Sequence, residues 1–451
     1  MRSSLTKKYV FLAFTAGFVF FTTQLLSAEN GSKPLPPIIE LTLKGTIDRA
    51  VENSHTVRQA REDLSAAQGR IKQATAKFYP TIQAEANAGT FHDKQPAPSE
   101  TPPPEVERDR NQYDAKVTLT QNVFSGFSHW AGVQSAKADQ ESFQKKLDRT
   151  TSEVRFEIAK LYFEIQLKLR ELAAEREVSE LRQKQLEQVK ARFAAGRATQ
   201  VERLKAEYAV KSQIPQIKSL ESDLEKDTLR LVQYVGLPLT QEFKLTDSLE
   251  KAANAVMSKP LPEIATAFDL ALTSNPDLIG IESDLAKLSS DVKVTSAKNL
   301  PALDLIFSSG TNAGRRDEIG APGFRAYGGQ LKLSVPVFSG LSSFAERHEN
   351  QAKINSMIEK KAATREKLLE DLRRVYSAWS LETVRMDAEK TNIELAEKTV
   401  IQAETLYQTG RATLTDVLDG YSNQLQAKKN LASAMYGRVA ALAEIKFLLG
   451  Q

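Results

Sequence analysis

Hydrophobic residues recur at intervals of three and four in four stretches of the chain, which is the pattern of helices that bury one face. The stretches cover about 41–79, 126–195, 264–299 and 340–409. Pro80 and Pro301 stop the two shorter ones, because proline cannot continue a helix. The two longer stretches would each measure on the order of 105 Å at about 1.5 Å per residue. That length predicts arms of the coiled-coil kind rather than ordinary globular helices.

Between each shorter and each longer helical stretch, apolar and polar residues alternate. The alternation predicts two β-hairpins, over 81–123 and 302–337, each with one apolar and one polar face. The polar loops inside them are 93–110, which is rich in proline and charge, and 311–325. Aromatic residues are expected near the strand ends; they are Phe91, Tyr113, Phe124, Phe307 and Tyr327.

The same landmarks occur twice in the same order. The sequence GRAT begins at Gly196 and again at Gly410, 214 positions later, and VFSG at 123–126 returns at 337–340 with the same spacing. The two helix-ending prolines are 221 positions apart, so the copies differ in length inside the hairpin. We therefore expect two structural repeats, 29–236 and 263–451, joined by a segment at 237–262.

Each GRAT sequence predicts the tip of a helical hairpin. Gly196 and Gly410 can adopt the left-handed conformation that ends the incoming helix. A threonine then caps the outgoing helix, and an acid three residues later completes a capping box; the pairs are Thr199 with Glu202 and Thr413 with Asp416. The outgoing helices extend for about 38 residues to Gly236 and Gly450. Pro215 predicts a kink in the first of them only, since Lys429 occupies the equivalent position.

Composition excludes several classes of function. The 451 residues include no cysteine and four isolated histidines, so no disulfide framework, zinc site or thiol nucleophile is expected. Neither a nucleophile elbow nor a phosphate-binding glycine loop occurs, which argues against an enzyme and against a cofactor. Three of the four net positive charges come from Arg2, Lys7 and Lys8, so nucleic acid is not an expected partner.

The first 28 residues are typical of a signal peptide. A basic start precedes the apolar run YVFLAFTAGFVFFTTQLL and a small-residue site at Ser27-Ala28. The alternative is an N-terminal membrane anchor, because the run is about as long as a short spanning helix. No later stretch has 18 consecutive apolar residues, so no transmembrane helix is expected in the mature chain.

Four strands with one apolar face cannot close into a barrel, and an open edge cannot lie in lipid. The strands of several chains could form one barrel, with the apolar side facing the outer-membrane lipid. Two alternatives stay open at this point. One is a soluble exported α+β protein whose helices cover the sheet, and the other is a structural coiled coil or a periplasmic adaptor.

The duplicated order of helix, proline, hairpin, VFSG, long helix and glycine turn resembles the TolC family of outer-membrane efflux proteins. The segments N275PDL, V335PVFSG and G410RATLTDVLD carry the resemblance most specifically. It implies a mainly α fold in which three chains build a twelve-stranded membrane barrel continued by an α-helical periplasmic tunnel. The segment 237–262 would belong to an equatorial domain around the tunnel. The implied function is the exit duct of a tripartite efflux or type I secretion system. The implied partners are a periplasmic adaptor and an inner-membrane pump of RND, ABC or MFS type.

The resemblance also implies a gate at the tips. Asp416 and Asp419 match the aspartates that ring the closed aperture, and Tyr407 and Glu202 match residues of the links that hold the tips shut. The family's linking arginine would fall at position 412, where this chain has alanine, so Arg411 and Arg197 are the candidates for the basic partner. Two alternatives need no gate: Asp416 as a capping residue and Tyr407 as a packed aromatic. The sequence does not specify the exported cargo.

Overall fold

The computed structural model describes residues 39–96, 105–239, 241, 243–255 and 261–450. The predicted signal peptide lies outside these residues, as does part of the predicted joining segment. The first half contains β1 (Ile39–Leu41), α1 (Leu43–Asn53), α2 (His55–Ala76), β2 (Thr81–Pro96), β3 (Glu105–Phe124), α3 (Ser128–Ala194), α4 (Gln200–Lys211) and α5 (Ile214–Val235). The second contains β4 (Phe243–Leu245), α6 (Leu249–Ala255), α7 (Ile264–Ser274), α8 (Pro276–Ala297), β5 (Ala302–Ala313), β6 (Arg325–Ser334), α9 (Ser342–Gln408) and α10 (Leu414–Leu448).

The two long helices confirm the predicted arms. Helices α3 and α9 each contain 67 residues, about 100 Å at 1.5 Å per residue. The residues of the predicted apolar stripes pack in the cores beside these helices; they are Val154, Ile158, Leu161 and Ile165 on α3 and Leu368, Leu372, Val375 and Trp379 on α9. Packing of these stripes, rather than helix propensity, is the main source of stability for helices of this length.

The shorter helical stretches are not single helices, so that part of the prediction is wrong. Each is broken by one residue with extended backbone, Ser54 between α1 and α2 and Asn275 between α7 and α8. The side chain of each breaking residue caps the next helix. Ser54 accepts from the backbone N–H of Val57, and Asn275 accepts from Asp277 and Leu278. Proline at 276 contributes to the second break, because it disfavours helical backbone in the residue before it.

The two predicted hairpins form one antiparallel sheet with the strand order β2-β3-β5-β6. The central pairing joins β3 to β5 and places Leu119 opposite Phe307. Strands β2 and β6 are the edges and pair with no further strand among the residues that the structure describes. The strands of the first hairpin are longer than predicted, since β2 extends to Pro96 and β3 begins at Glu105, both inside the expected loop. Tyr113 therefore lies within β3 rather than near its end, and Phe307 lies in the middle of β5.

The two faces of the sheet differ as the alternation predicts. Ile82, Phe307, Leu331 and Leu333 are on the apolar face and are at least half exposed, so no part of the described chain covers that face. The opposite face carries polar cross-strand pairs: Lys116 with Glu85 at 2.9 Å, Asn87 with Asp114 at 2.9 Å and Asn122 with Asp304 at 2.7 Å. An exposed apolar face of this kind requires either a partner or lipid.

Short elements form a belt halfway along the arms. Strand β1 pairs in parallel with β4, and α6 follows. The fully buried Tyr162 of α3 donates its hydroxyl to the carbonyl of Leu41 at 2.9 Å and accepts from the backbone N–H of Asp247 at 3.1 Å. The Tyr162 hydroxyl therefore links the end of β1 and the segment after β4 to the long helix α3.

The returning helices of the two arms differ, as Pro215 predicts. In the second arm α10 is continuous over 35 residues. In the first arm the helix is interrupted between α4 and α5, and Pro215 lies in the first turn of α5, where its missing N–H costs little. The prediction of one kinked helix is therefore corrected to two helices with a break. Among the residues described, no helix is both long and apolar enough to cross a membrane.

Candidate functional site at the helical tips

Both arms end in the same glycine turn. Gly196 and Gly410 have φ values of 69° and 77°, in the left-handed region that glycine adopts without strain. In the first turn the N–H of Arg197 donates to the carbonyl of Arg192 at 2.8 Å, and in the second the N–H of Arg411 donates to Leu406 at 2.8 Å. Each of these bonds spans five positions of the chain, and inside it the glycine N–H donates to the carbonyl three positions earlier. The two bonds together define a Schellman motif and confirm the predicted tips.

Both outgoing helices begin with a complete capping box, which is also confirmed. Thr413 accepts from the N–H of Asp416, and Asp416 Oδ2 accepts from the N–H and the hydroxyl of Thr413, both at 2.7 Å. Glu202 accepts in the same way from Thr199, at 2.7 and 3.0 Å. The hydrogen bonds from Thr413 hold the pKa of Asp416 below its ordinary value. Asp416 is therefore ionised throughout the physiological pH range.

The two arms pack against each other through an apolar cluster behind the tips. It consists of Val178, Leu186, Val189, Ala206, Val400, Ala403, Tyr407, Leu414, Val417 and Tyr421. Gly420 brings α9 and α10 close together, because a Cβ at that position would lie 3.3 Å from Val400 Cγ2. Tyr421 donates its hydroxyl to Glu404, and burial, together with this bond, raises the pKa of Tyr421. The tips are thus two hairpins joined by one shared core.

Arg192, near the end of α3, connects the first tip to the second. Its Nη1 donates to the carbonyl of Tyr407 at 3.2 Å and its Nη2 donates to the carbonyl of Gln408 at 3.0 Å. Its guanidinium also lies over the Tyr407 ring, 4.8 Å from the centroid. These are the last carbonyls of α9, where the helix dipole favours a cation. We refer to this set of contacts as the Arg192 clasp.

Sequence reasoning missed Arg192, although a signal was present. The residue at the equivalent position of the other repeat is Leu406. An arginine in one copy and a leucine in the other mark a contact that the two arms do not share. The two arginines named from the sequence behave differently. Arg197 and Arg411 are exposed, and within the described chain their guanidinium groups make no hydrogen bond or ion pair. Neither is the basic partner of the tip within one chain.

Tyr407 and Glu202, the two predicted link residues, share no hydrogen bond among the residues that the structure describes. Tyr407 is buried, with 5% of its surface exposed, and burial raises the pKa of its hydroxyl. The Glu202 carboxylate adds a smaller electrostatic effect that raises this pKa further. The hydrogen bonds described for that carboxylate go to Thr199. The alternative of a packed aromatic therefore describes Tyr407 in this conformation.

Asp416 and Asp419 share the exposed side of the first turns of α10. Val417, Gly420 and Tyr421 between and after them face the core. Asp419 makes no side-chain hydrogen bond or ion pair with any residue that the structure describes. The corresponding positions of the first arm are Glu202 and Lys205, an acid and a base. The acidic pair is therefore a feature of the second arm alone.

A buried polar contact lies further along the arms, at the break in the first returning helix. Gln213 Nε2 donates to Glu175 Oε2 at 2.9 Å, and Lys429 Nζ of the second arm binds Glu175 Oε1 at 3.0 Å. Glu175 and Gln213 are 4% and 2% exposed. Buried charges require partners of this kind. One carboxylate thus connects the break to the opposite arm.

The tips present no chemistry other than charge and apolar contact. No group of three or more histidine and acidic side chains able to hold a metal ion occurs among the described residues. Two cavities lie away from the tips: one of about 730 Å³ borders Arg170 and Phe243, and one of about 530 Å³ borders Lys145 and Asp277.

Comparisons with known proteins agree with this architecture. A sequence model of the family described as outer membrane efflux protein matches residues 46–237 and 267–451. Outer membrane protein TolC of Salmonella enteritidis is 24% identical over 453 residues, which cover 93% of this chain and 86% of that protein. The pyoverdine export outer membrane protein OpmQ of Pseudomonas putida is 25% identical over 419 residues, covering 90% and 84% of the two chains.

Solved structures share the fold. The MtrE outer membrane channel of Neisseria gonorrhoeae, in its open state, superimposes with a TM-score of 0.76 at 17% sequence identity. The match covers 90% of this chain and 88% of that one. Both long hairpins and the sheet therefore follow an architecture already seen in an experimental structure.

Proposed function

The chain belongs to the outer membrane efflux protein family, and from that premise we propose that it is a passive exit duct in the outer membrane. Substrates would enter at the helical tips in the periplasm and leave through the sheet end. The function is conduction rather than catalysis, and it needs no cofactor. The observation that carries the proposal is a sheet with one exposed apolar face, attached to two helical arms of equal length.

The sheet has the properties of part of a membrane barrel. Along β2 the apolar positions extend from Ile82 to Ala88, about 20 Å at roughly 3.3 Å per residue. Strands of such barrels are tilted by about 40°, so this stretch would cover about 15 Å of an apolar band that is about 25 Å tall. The edge strands β2 and β6 cannot remain unpaired in lipid, so other copies must complete the sheet. Outer-membrane lipid would then contact the apolar face.

We infer that three copies form a twelve-stranded barrel, continued by the arms as a periplasmic tunnel. Each copy would be an internal duplication, 29–236 and 263–451, and residues 237–262 would contribute to the equatorial belt. The order of elements supports the duplication: each half contains two short helices, a hairpin and a 67-residue helix. The residues before 29 would be the cleaved signal peptide.

The tips would form the gate. Asp416 and Asp419 from each of three copies would place six carboxylates around one axis. Such a ring attracts cations and excludes anions. Tyr407, Glu202 and the Arg192 clasp would hold the arms together, while the exposed Arg197 and Arg411 remain available for bonds to a neighbouring copy. A periplasmic adaptor would dock at the tips, and an inner-membrane pump of RND, ABC or MFS type would drive export.

Conductance in planar bilayers tests the duct. The purified protein in detergent should insert as discrete conducting steps that select cations. Trivalent cation added on the tip side should block those steps at micromolar concentration. A protein that forms no channels and stays soluble without detergent would contradict the proposal.

Substitution of the acidic pair separates the gate from the duct. Asp416→Asn with Asp419→Asn should preserve conductance and abolish the cation block. The matched control is Glu187→Gln, which removes an exposed acid of the first arm that is paired with Lys190 at 3.0 Å. Channels that are still blocked in the double variant would refute the ring assignment and leave the duct intact.

A further inference from the structure

The junction between the two halves of the chain is a template for the junction between neighbouring copies. The two halves of the chain meet where α3 of the first lies against α8 of the second. Ser135 Oγ donates there to Asp291 Oδ1 at 2.6 Å. The sheet is joined at the same junction by β3 and β5. The opposite flanks, α2 with β2 and α9 with β6, have no such partner in the part of the chain that the structure describes.

The two halves correspond position by position in the structure as well as in the sequence. The offset is 221 before the hairpin loop and 214 after it. Strand pairing obeys these offsets, since Ile82 lies opposite Leu119 and Leu303 lies opposite Leu333. Side-chain contacts obey them too. Phe78 meets His129, with ring centroids 5.6 Å apart, and the equivalent pair is Asn299 with Ser343, whose bond is 2.8 Å.

The same offsets, applied to the internal junction, give the equivalent junction between two copies. There α9 of one copy takes the place of α3, and α2 of the neighbouring copy takes the place of α8. The position of Ser135 is then held by Glu349, and the position of Asp291 is held by Arg70. A hydroxyl–carboxylate contact inside the chain thus becomes a carboxylate–guanidinium contact between chains. This charge complementarity is independent of the strand pairing and favours a second copy as the occupant of the flank.

The surroundings of both residues suit such a contact. Arg70 binds Asp139 at 2.7 Å, and Asp139 is also bound by Lys287. Glu349 binds Lys353 at 2.6 Å. The side chains of Arg70 and Glu349 are 42% and 61% exposed, so both can accept a further partner. The result would be one row of alternating charges that crosses the interface.

We propose that neighbouring copies dock with Glu349 of one copy against Arg70 of the next, in the register set by the internal junction. This inference rests on the proposed trimeric duct and adds the residue-level interface. In the sheet, the pairing of Leu119 with Phe307 predicts that Leu333 of β6 lies opposite Ala86 of the next copy. Glu349 on α9 would therefore meet α2 of the next copy, and Leu333 on β6 would meet β2 of the next copy.

The same rule accounts for exposed apolar residues on the arms. Inside the chain, α3 packs against α10 through the apolar cluster behind the tips. The equivalent external contact is α9 against α4 of the next copy. The exposed Leu395 of α9 holds the position of Leu181 of α3, and the exposed Leu204 and Tyr208 of α4 hold the positions of Leu418 and Ser422 of α10. The proposed contact brings these exposed side chains together and buries them.

The cysteine-free chain permits a direct test. Arg70→Cys and Glu349→Cys, combined in one chain, should cross-link with an oxidant or a short bifunctional thiol reagent. A denaturing gel should then show species of two and three chains. Ala86→Cys with Leu333→Cys, a pair on different elements, should give the same ladder. The distance between paired cysteines is calibrated with Ser135→Cys and Asp291→Cys, which react within one chain.

A control out of register keeps the test specific. Arg70→Cys with Glu359→Cys moves one thiol ten residues along α9, about 15 Å away. It should leave single chains, as should each single cysteine. A detergent-solubilised trimer in which both predicted pairs fail, while the calibrating pair reacts, would overturn the register and leave the duct standing. A monomer by native mass measurement would overturn the trimeric assembly itself.

Discussion

The Arg192 clasp should control how tightly the two tips of one chain are held together. Arg192→Ala removes two hydrogen bonds, at 3.2 and 3.0 Å, and a cation–π contact at 4.8 Å. A hydrogen bond from a charged donor contributes about 1.5 kcal/mol at the low end, and an exposed cation–π contact about 0.5 kcal/mol. The sum is about 3.5 kcal/mol, and water competes for a half-buried guanidinium. We therefore expect a loss of about 2 kcal/mol, or roughly 30-fold in the equilibrium for separating the tips.

Hydrogen exchange followed by mass spectrometry measures this equilibrium. Peptides that cover 195–205 and 406–416 should lose protection by roughly 30-fold in Arg192→Ala, because amides there exchange through local opening. Peptides from the belt should not change. The channel should also spend more time in large conductance states.

Arg197→Ala is the matched control for the clasp. This arginine is five residues away, exposed, and without a side-chain partner in the described part of the chain. If Arg197→Ala lowers protection as much as Arg192→Ala, the effect is one of tip charge and the clasp is refuted. Unchanged protection in Arg192→Ala would refute it as well.

Four further outcomes are expected. Thr413→Ala should weaken the start of α10 by about 1 kcal/mol, seen as faster exchange in its first turn. Gly410→Ala should cost about 1–2 kcal/mol, because its φ is 77°, and should lower the melting temperature. Glu175→Gln leaves Lys429 without its buried partner, so it should destabilise the arms by about 2–3 kcal/mol, visible as faster exchange around the helix break. Asp139 is buried, which raises its pKa, but the two cations that bond it hold the pKa below the ordinary value. Its stabilising effect should therefore persist above about pH 4 and disappear as the pH falls further. Asp139→Asn should flatten that part of the acid denaturation curve.

Much of this architecture could be predicted because the period of the hydrophobic residues and the residues that form turns are local features of the sequence. The long helices, the glycine turns, the capping boxes and the two-faced hairpins each depend on residues within a few positions of one another. Breaks at Ser54 and Asn275 were missed because both residues also fit inside an apolar period of three and four. Only their capping bonds, and the proline that follows Asn275, distinguish a break from a continuous helix.

The candidate site was harder to predict because its contacts join residues far apart in the chain. Arg192 and Tyr407 are 215 positions apart, and their contact depends on how one hairpin lies beside the other. The family resemblance indicated Arg197 and Arg411, the arginines after each glycine, and both are exposed to solvent. Internal comparison of the two halves would have identified Arg192, since a charged residue matched by a leucine signals a contact present on one side only.

The break between α4 and α5 gives the two arms of each chain different mechanical stiffness. A continuous helix such as α10 bends only gently, whereas a helix interrupted for two residues can bend at the interruption once the contact between Gln213 and Glu175 that anchors it is released. In a ring of three copies, interrupted and continuous returning helices would then alternate. The stiffness of the six arms would therefore have threefold rather than sixfold symmetry. Such a ring would widen by rotation at the three α4–α5 breaks. The continuous α10 helices would limit how far it opens.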